Sequence, residues 1–148
     1  MSGPLTPFLR LFFDTDALLA GAASTTGAAH LLLLLRLAEL GLVEAFTCDY
    51  VRTEAFRNAD RKLPRARPFL EELFARILTC TSDVELPSTG MDEAVHPKDL
   101  PVWLAFRASG ARFLITYNLP DYPDVESVTT PGRVISEIRL VIASVELG

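Results

Sequence analysis

Apolar and polar positions along this chain fall into short blocks whose period alternates between that of strands and that of helices. Phe8 to Phe13 is an apolar run broken only by Arg10, too brief for a core helix; it reads as a buried strand ending in a carboxylate, Asp14. Ser24-Thr25-Thr26-Gly27 supplies N-caps for a strongly apolar helix from Ala28 to Glu39, with Gly41 as its stop signal. Val43 to Cys48 alternates as a second strand, and Thr47 or Asp49 is placed to cap a helix from Tyr50 to about Lys62. Phe69, Leu70, Leu73, Phe74, Ile77 and Leu78 recur on one face of a further helix, and Thr79 to Leu86 reads as a third strand.

The second half repeats the alternation. Met91 to Val95 reads as a helical turn, and the next helix starts in His96–Pro101, with the proline in its first turn, and ends at Gly110. Ala111 to Tyr117 is the clearest strand of the chain, Asn118 to Pro123 a polar turn, Val125 to Thr130 a fifth strand, and Pro131-Gly132 opens a last helix to about Ala143. Strands alternating with helices at this spacing predict an α/β fold: a three-layer α/β/α sandwich with a central, mainly parallel sheet, in one domain over residues 1–148.

Composition narrows the class. With 49% hydrophobic and 22% charged residues the chain can bury a core and is no disordered segment. Its longest apolar run, Ala28 to Leu35, contains His30 and stops at Arg36, too short to span a bilayer. No basic stretch precedes the first apolar run, so a cytoplasmic protein without a signal peptide is expected. Cys48 and Cys80 have no ligand-type spacing and read as free thiols in apolar surroundings.

Net charge is −5, yet Arg52 to Arg67 carries six cations against Glu54 and Asp60, a local +4 that leaves −9 elsewhere. A basic patch on an acidic domain can attract a polyanion to one face, although an ordinary solvated helix face has the same composition.

In an open parallel sheet, ligands bind outside the carboxyl ends of the strands. Asp14 follows strand one, Glu54 lies one turn into the helix after strand two, Asp99 starts the helix before strand four, and Asn118 and Asp121 follow strand four. Each has an ordinary use as a cap, a turn residue or a partner of a helix dipole. Their joint placement at one sheet edge is what points to a site. Oxygen-rich clusters of this kind suit hard divalent cations such as Mg²⁺ or Mn²⁺.

Four segments resemble the PIN-domain nucleases, in particular the VapC-like toxins of toxin–antitoxin pairs. They are Leu11 to Leu19, with its strand-Asp-Thr-Asp order; Tyr50-Val51-Arg52-Thr53-Glu54; His96-Pro97-Lys98-Asp99-Leu100-Pro101; and Ala111 to Tyr122, with Thr116, Asn118 and Asp121. Val128-Thr129-Thr130-Pro131 is similar to the family's closing strand and helix start. The resemblance implies a Mg²⁺- or Mn²⁺-dependent endoribonuclease. Asp14, Glu54, Asp99 and Asp121 would be its catalytic acids, with Asn118 completing the metal site and Thr15 or Thr116 bonding the ligands from behind. The basic segment, with Arg52, Arg57, Arg61 and Lys62, would grip the RNA backbone. It also implies an antitoxin partner and a homodimer, and no membrane association. Tyr117 stands where the family carries glycine, placing a ring that narrows the site or stacks a base; Asn118 stands where many members have Asp, and His96 where an Asp often precedes the third acid.

Two other readings compete. Asp14-x-Asp16 after a strand resembles the nucleophile and acid of haloacid-dehalogenase-type phosphatases, which would make Asp16 indispensable. A catalytically weak interaction module of PIN type is the other, marked by Tyr117 and Asn118 and by absence of metal binding.

Overall fold

A computed structural model describes residues 9–23, 28–81 and 90–144. The elements are β1 (Arg10–Phe13), α1 (Thr15–Ala23), α2 (Ala29–Glu39), β2 (Glu44–Cys48), α3 (Asp49–Lys62), α4 (Arg67–Glu72), β3 (Thr79–Thr81), α5 (Leu100–Ser109), β4 (Phe113–Ile115), β5 (Val128–Thr129) and α6 (Pro131–Ser144). Short 3₁₀ turns at Pro64–Ala66, Gly90–Ala94, Pro97–Asp99 and Leu119–Asp121 join them. The strands form one wholly parallel sheet in the order β3-β2-β1-β4-β5 with helices on both faces, the expected three-layer α/β/α sandwich.

β1 is the central strand because it is apolar on both sides of its pleat. Leu11, Phe12 and Phe13 are fully buried, and Leu11 registers with Ala45 of β2 and Phe113 of β4. Successive side chains of a strand point to opposite faces, so Phe12 meets α5 while Leu11 and Phe13 face the other layer. Phe12 packs edge-on against Phe106 of α5 at 6.1 Å between ring centres, and Trp103 sits beside Phe106 at 5.6 Å. α2 packs on α6, and α1 lies against α2 and α3.

The helix α2 stops as its sequence predicts. Gly41 takes φ +79°, its N–H donates to the Ala38 carbonyl at 3.0 Å, and Leu42 N–H reaches back to the Leu37 carbonyl at 2.9 Å, a Schellman ending. No helix of the described residues is long and apolar enough to cross a membrane.

Several boundaries differ from expectation. The stretch Thr15–Ala23, which shows no clear apolar stripe, is the helix α1; Gly21 lets it approach α2 so closely that an added Cβ would lie 2.7 Å from Leu31 Cδ2. The predicted 69–78 helix starts earlier, at Arg67, and its last turn, Leu73–Ile77, is a π turn, with Leu78 N–H bonded to the Leu73 carbonyl. β4 and β5 are shorter than predicted: Thr116 leaves the strand direction to enter the acid cluster described below, and Val125–Val128 is drawn into a turn by a Val128 N–H bond to the Val125 carbonyl. Neither Thr47 nor Asp49 caps α3. Thr47 donates instead to the Phe13 carbonyl at 2.8 Å, and Asp49 accepts the Cys80 thiol at 3.2 Å. The predicted caps at 24–27 and the strand residues 82–86 lie outside the described residues. Neither cysteine forms a disulfide; Cys48 is buried and Cys80 half-buried.

Candidate functional site

With the order β3-β2-β1-β4-β5, the chain crosses from one side of β1 to the other after β3, so the point where the strand order reverses lies between the neighbours β1 and β4. Ligands of open parallel sheets bind outside the carboxyl ends of strands at such a point. Asp14 directly follows β1 and Thr116 directly follows β4, and the two are joined: Asp14 N–H donates to the Ile115 carbonyl at 3.0 Å, and Thr116 Oγ1 donates to Asp14 Oδ2 at 3.0 Å.

Asp14 is 5% exposed and holds its carboxylate through three donors. Thr15 N–H reaches Oδ1 at 2.7 Å, while Thr116 Oγ1 and the Tyr122 hydroxyl, at 2.9 Å, both reach Oδ2. Burial pushes its pKa up from the ordinary value, and these bonds pull against the shift.

Asp16, two residues on, was expected at the site only in the phosphatase reading. Its Oδ2 accepts Tyr117 N–H at 3.0 Å, and its Oδ1 lies 3.2 Å from Thr116 Oγ1. Burial, and then the charge of Asp14, raise its pKa to about 6. A hydroxyl carries one hydrogen and two lone pairs. Thr116 is fully served when it donates to Asp14 and accepts from Asn118 N–H, 3.0 Å away, and from a protonated Asp16.

Asp99 approaches from the turn before α5. Its Oδ2 is buried without a hydrogen-bond partner among the described residues. Burial, the charge of Asp14 and the facing carboxyl of Asp121 raise its pKa to about 6. Asp121 has its nearest cation in Lys98, whose Nζ stands 3.9 Å from Oδ2. Glu54 comes from α3 and pairs with Arg57 at 2.6 Å.

Asp14, Thr15, Glu54, Asp99 and Asn118, all expected from sequence, thus line one cleft of about 190 Å³, together with Asp16, Leu19, Tyr50, Asn58 and Lys98. Asp121 is not among its walls, but its charge raises the pKa of both Asp99 and Asp14. Thr116 supports two of the acids from behind, whereas Thr15 touches Asp14 through its main chain. The sequence reading missed Tyr122, the donor that fixes Asp14, and Tyr50, whose hydroxyl donates to the Lys98 carbonyl at 2.9 Å. Their signal was present: Tyr122 adjoins Asp121, and Tyr50 lies one helical turn before Glu54.

The basic residues stand apart. None of Arg52, Arg57, Arg61 and Lys62 lines the acidic cleft. Arg52 lies over the Phe74 ring at 5.9 Å, on the wall of a separate groove of about 740 Å³, and Arg57 is held by Glu54. That groove and another of about 650 Å³ beside β5 and α6 exceed the acidic cleft in volume. Neither gathers mutually perturbed acids at a strand end, so the smaller cleft is the stronger candidate for chemistry.

The donor set is chemically that of a hard cation: carboxylates whose charges raise one another's pKa, and a buried Asp99 oxygen without a partner. Among the described residues, however, no group of three or more His, Cys, Asp or Glu side chains is spaced to hold an ion. A magnesium-type ion keeps several waters and is commonly held by only one or two carboxylates, which this cleft can supply. Compared with known proteins, the chain matches no family model and no curated protein.

Proposed function

We propose that this protein is a PIN-type endoribonuclease that hydrolyses RNA phosphodiesters with a divalent cation, Mg²⁺ or Mn²⁺, in the cleft around Asp14. The observation that carries this reading is the meeting of Asp14, Glu54 and Asp99, from three separate segments, at the switch point of a parallel sheet, with Asp14 oriented by three donors.

Asp14 and Asp99 would hold the cation, with Asn118 and Glu54 within the same walls. A bound cation of this type lowers the pKa of a coordinated water and offsets charge on the phosphate under attack. The chain supplies the rest. Tyr122, Thr116 and the Thr15 N–H keep the Asp14 oxygens in one orientation, so no reorganisation is needed at the moment of reaction. Asp99 Oδ2, buried without a hydrogen-bond partner among the described residues, would be the oxygen this residue offers the cation.

The toxin role, an antitoxin partner and a homodimer rest on the sequence resemblance alone. Asp16 bears on the phosphatase alternative: its two oxygens are engaged with Thr116 and Tyr117 rather than free to serve as an acid. The second reading, a binding module with little catalysis, is favoured by the lack of a ready group of three metal-holding side chains among the described residues.

Calorimetric titration with Mn²⁺ and RNA cleavage, wild type beside Asp14→Asn, separate these readings. Manganese binding and cleavage that both vanish in a folded Asp14→Asn variant are expected. A wild-type protein that binds no Mn²⁺ would move the assignment to the binding module.

A further inference from the structure

The cleft contains one cation that the reaction just described leaves without a task. Lys98 lies between Pro97 and Asp99, and both of its main-chain groups are held. Its N–H donates to His96 Nδ1 at 3.3 Å, and its carbonyl accepts the Tyr50 hydroxyl at 2.9 Å, which ties the turn to α3. The side chain, by contrast, is loose. It is 61% exposed, and its Nζ stands 3.9 Å from Asp121 Oδ2, beyond hydrogen-bond reach. Solvent screens an ion pair this exposed, so attraction to Asp121 is not what keeps the ammonium there.

Its position is nevertheless specific. The ammonium acts on Asp99 as well as Asp121, lowering the pKa of Asp99 against the stronger effects of burial and Asp14. Lys98 is the one cationic residue among those lining the cleft, and of the cleft's acids it is Asp99 whose charge it favours. Of the cations on the neighbouring helices, Arg57 is paired with Glu54 and Arg67 with Asp60 at 2.9 Å, and neither lines the cleft. The cleft's unpaired carboxylates repel a polyanion, and a compact ammonium on a four-carbon stem can leave a weak partner to meet a phosphate without moving the main chain.

We propose that Lys98 is the phosphate-binding residue of the cleft, its ammonium holding a non-bridging phosphate oxygen of single-stranded RNA beside the acids. This rests on the nuclease reading of the cleft and names how that cleft grips its substrate. Tyr50 is the positioning residue: by fixing the Lys98 carbonyl it sets where the stem starts.

The test is binding of a fluorescent single-stranded oligoribonucleotide without divalent cation at several salt concentrations, with the full chain carrying Asp14→Asn so that the probe stays intact. Adding Lys98→Ala should weaken binding and lower the salt slope, log K against log salt, by about 0.7, the value of one phosphate contact on a single strand. Lys98→Arg should restore the slope. In the otherwise wild-type protein, Lys98→Ala should raise KM more than it lowers kcat, since the contact exists before and during reaction. An unchanged slope in a Lys98→Ala variant of undiminished Tm overturns the proposal. So does a Lys98→Ala variant of lowered Tm whose slope Lys98→Arg fails to restore, which would make Lys98 a structural partner of Asp121. A lowered slope in a protein that cleaves no RNA would support the phosphate contact and sink the nuclease reading alone.

Discussion

The hydroxyl of Tyr122 donates to Oδ2 of Asp14 at 2.9 Å, across 108 positions of sequence and inside the core, where both residues are no more than 5% exposed. A carboxylate this buried survives as a charge only while its donors are in place. Tyr122→Phe keeps the ring that packs near Trp103, 6.4 Å between centres, and removes one donor. The loss of a bond to a buried acid is expected to cost about 1–3 kcal/mol and to lower Tm by several degrees. Cleavage should fall about tenfold or more as Asp14 loses its fixed orientation. Thermal melting and initial rates measured side by side check both parts; an unchanged Tm would mean the bond is not formed in solution.

Asp16 gives the pH dependence its sign. Its pKa is about 6 in the folded protein against an ordinary 3.8, so between those values the folded state holds a proton that the unfolded chain has released. Stability therefore rises as pH falls from 7 through 6 towards 4, and is lost again on the way back up. Asp99, raised for a similar reason, pushes the same way. Melting curves from pH 7.5 to 4.5 without metal should show a higher Tm on the acid side of 6, until other carboxylates begin to protonate.

Asp16→Asn follows from the same geometry. An amide can accept the Tyr117 N–H with its oxygen and donate to Thr116 Oγ1 with its nitrogen, the arrangement that a protonated Asp16 makes. At pH 7.5 the variant should be more stable than wild type by on the order of 2 kcal/mol, and near pH 4.5 the difference should disappear. Cleavage should survive in part, in contrast to Asp14→Asn. A destabilised variant at pH 7.5 would show that the charged form is the one the fold prefers.

Manganese should act against protons. If the cation binds the folded cleft, a hundredfold excess over Kd adds about 2.7 kcal/mol, a rise in Tm of several degrees. That rise should be larger at pH 7.5 than at pH 5, because Asp99, raised to about 6, and Asp14, raised by burial, must lose protons to become ligands. A metal effect independent of pH would place the ion elsewhere.

The packing of α1 on α2 offers a test away from the cleft. A methyl group at position 21 would lie 2.7 Å from Leu31 Cδ2, so Gly21→Ala must displace a fully buried leucine. The expected cost is about 1–3 kcal/mol, with the cleft chemistry intact. Stability rising instead, as a Gly→Ala change in an open helix would give, would show that the two helices separate easily.

The central sheet was legible because β1, β2 and β4 are short apolar runs ending in Asp14, Cys48 and Thr116, and parallel strands buried on both faces leave that mark. The helix α1 was not, because Ala17, Ala20, Gly21, Ala22 and Ala23 give no polar face to read, and its reason for being a helix is the partner it packs on. The acids were found from their places at element ends. What holds them was not: Tyr122, Thr116 and Tyr50 reach the cleft through contacts spanning 48 to 108 positions, which no local pattern encodes. The basic segment clusters in sequence but does not line the cleft, and Arg57 and Arg67 are paired with neighbouring acids.

Because Thr116 meets Asp14 across 102 positions, the site is among the last things the chain can build during synthesis. A nascent chain that has released β1, β2 and β3 from the ribosome already carries Asp14, Asp16 and Glu54, yet has no strand to stand beside β1 on its open side and no donor for Asp14 Oδ2. Only when β4 and the turn to Tyr122 emerge, over four-fifths of the way along the 148 residues, do the two halves of the cleft meet. An incomplete chain is thereby left without the cleft, so truncated products and stalled translation intermediates carry the acids in a form that cannot act together.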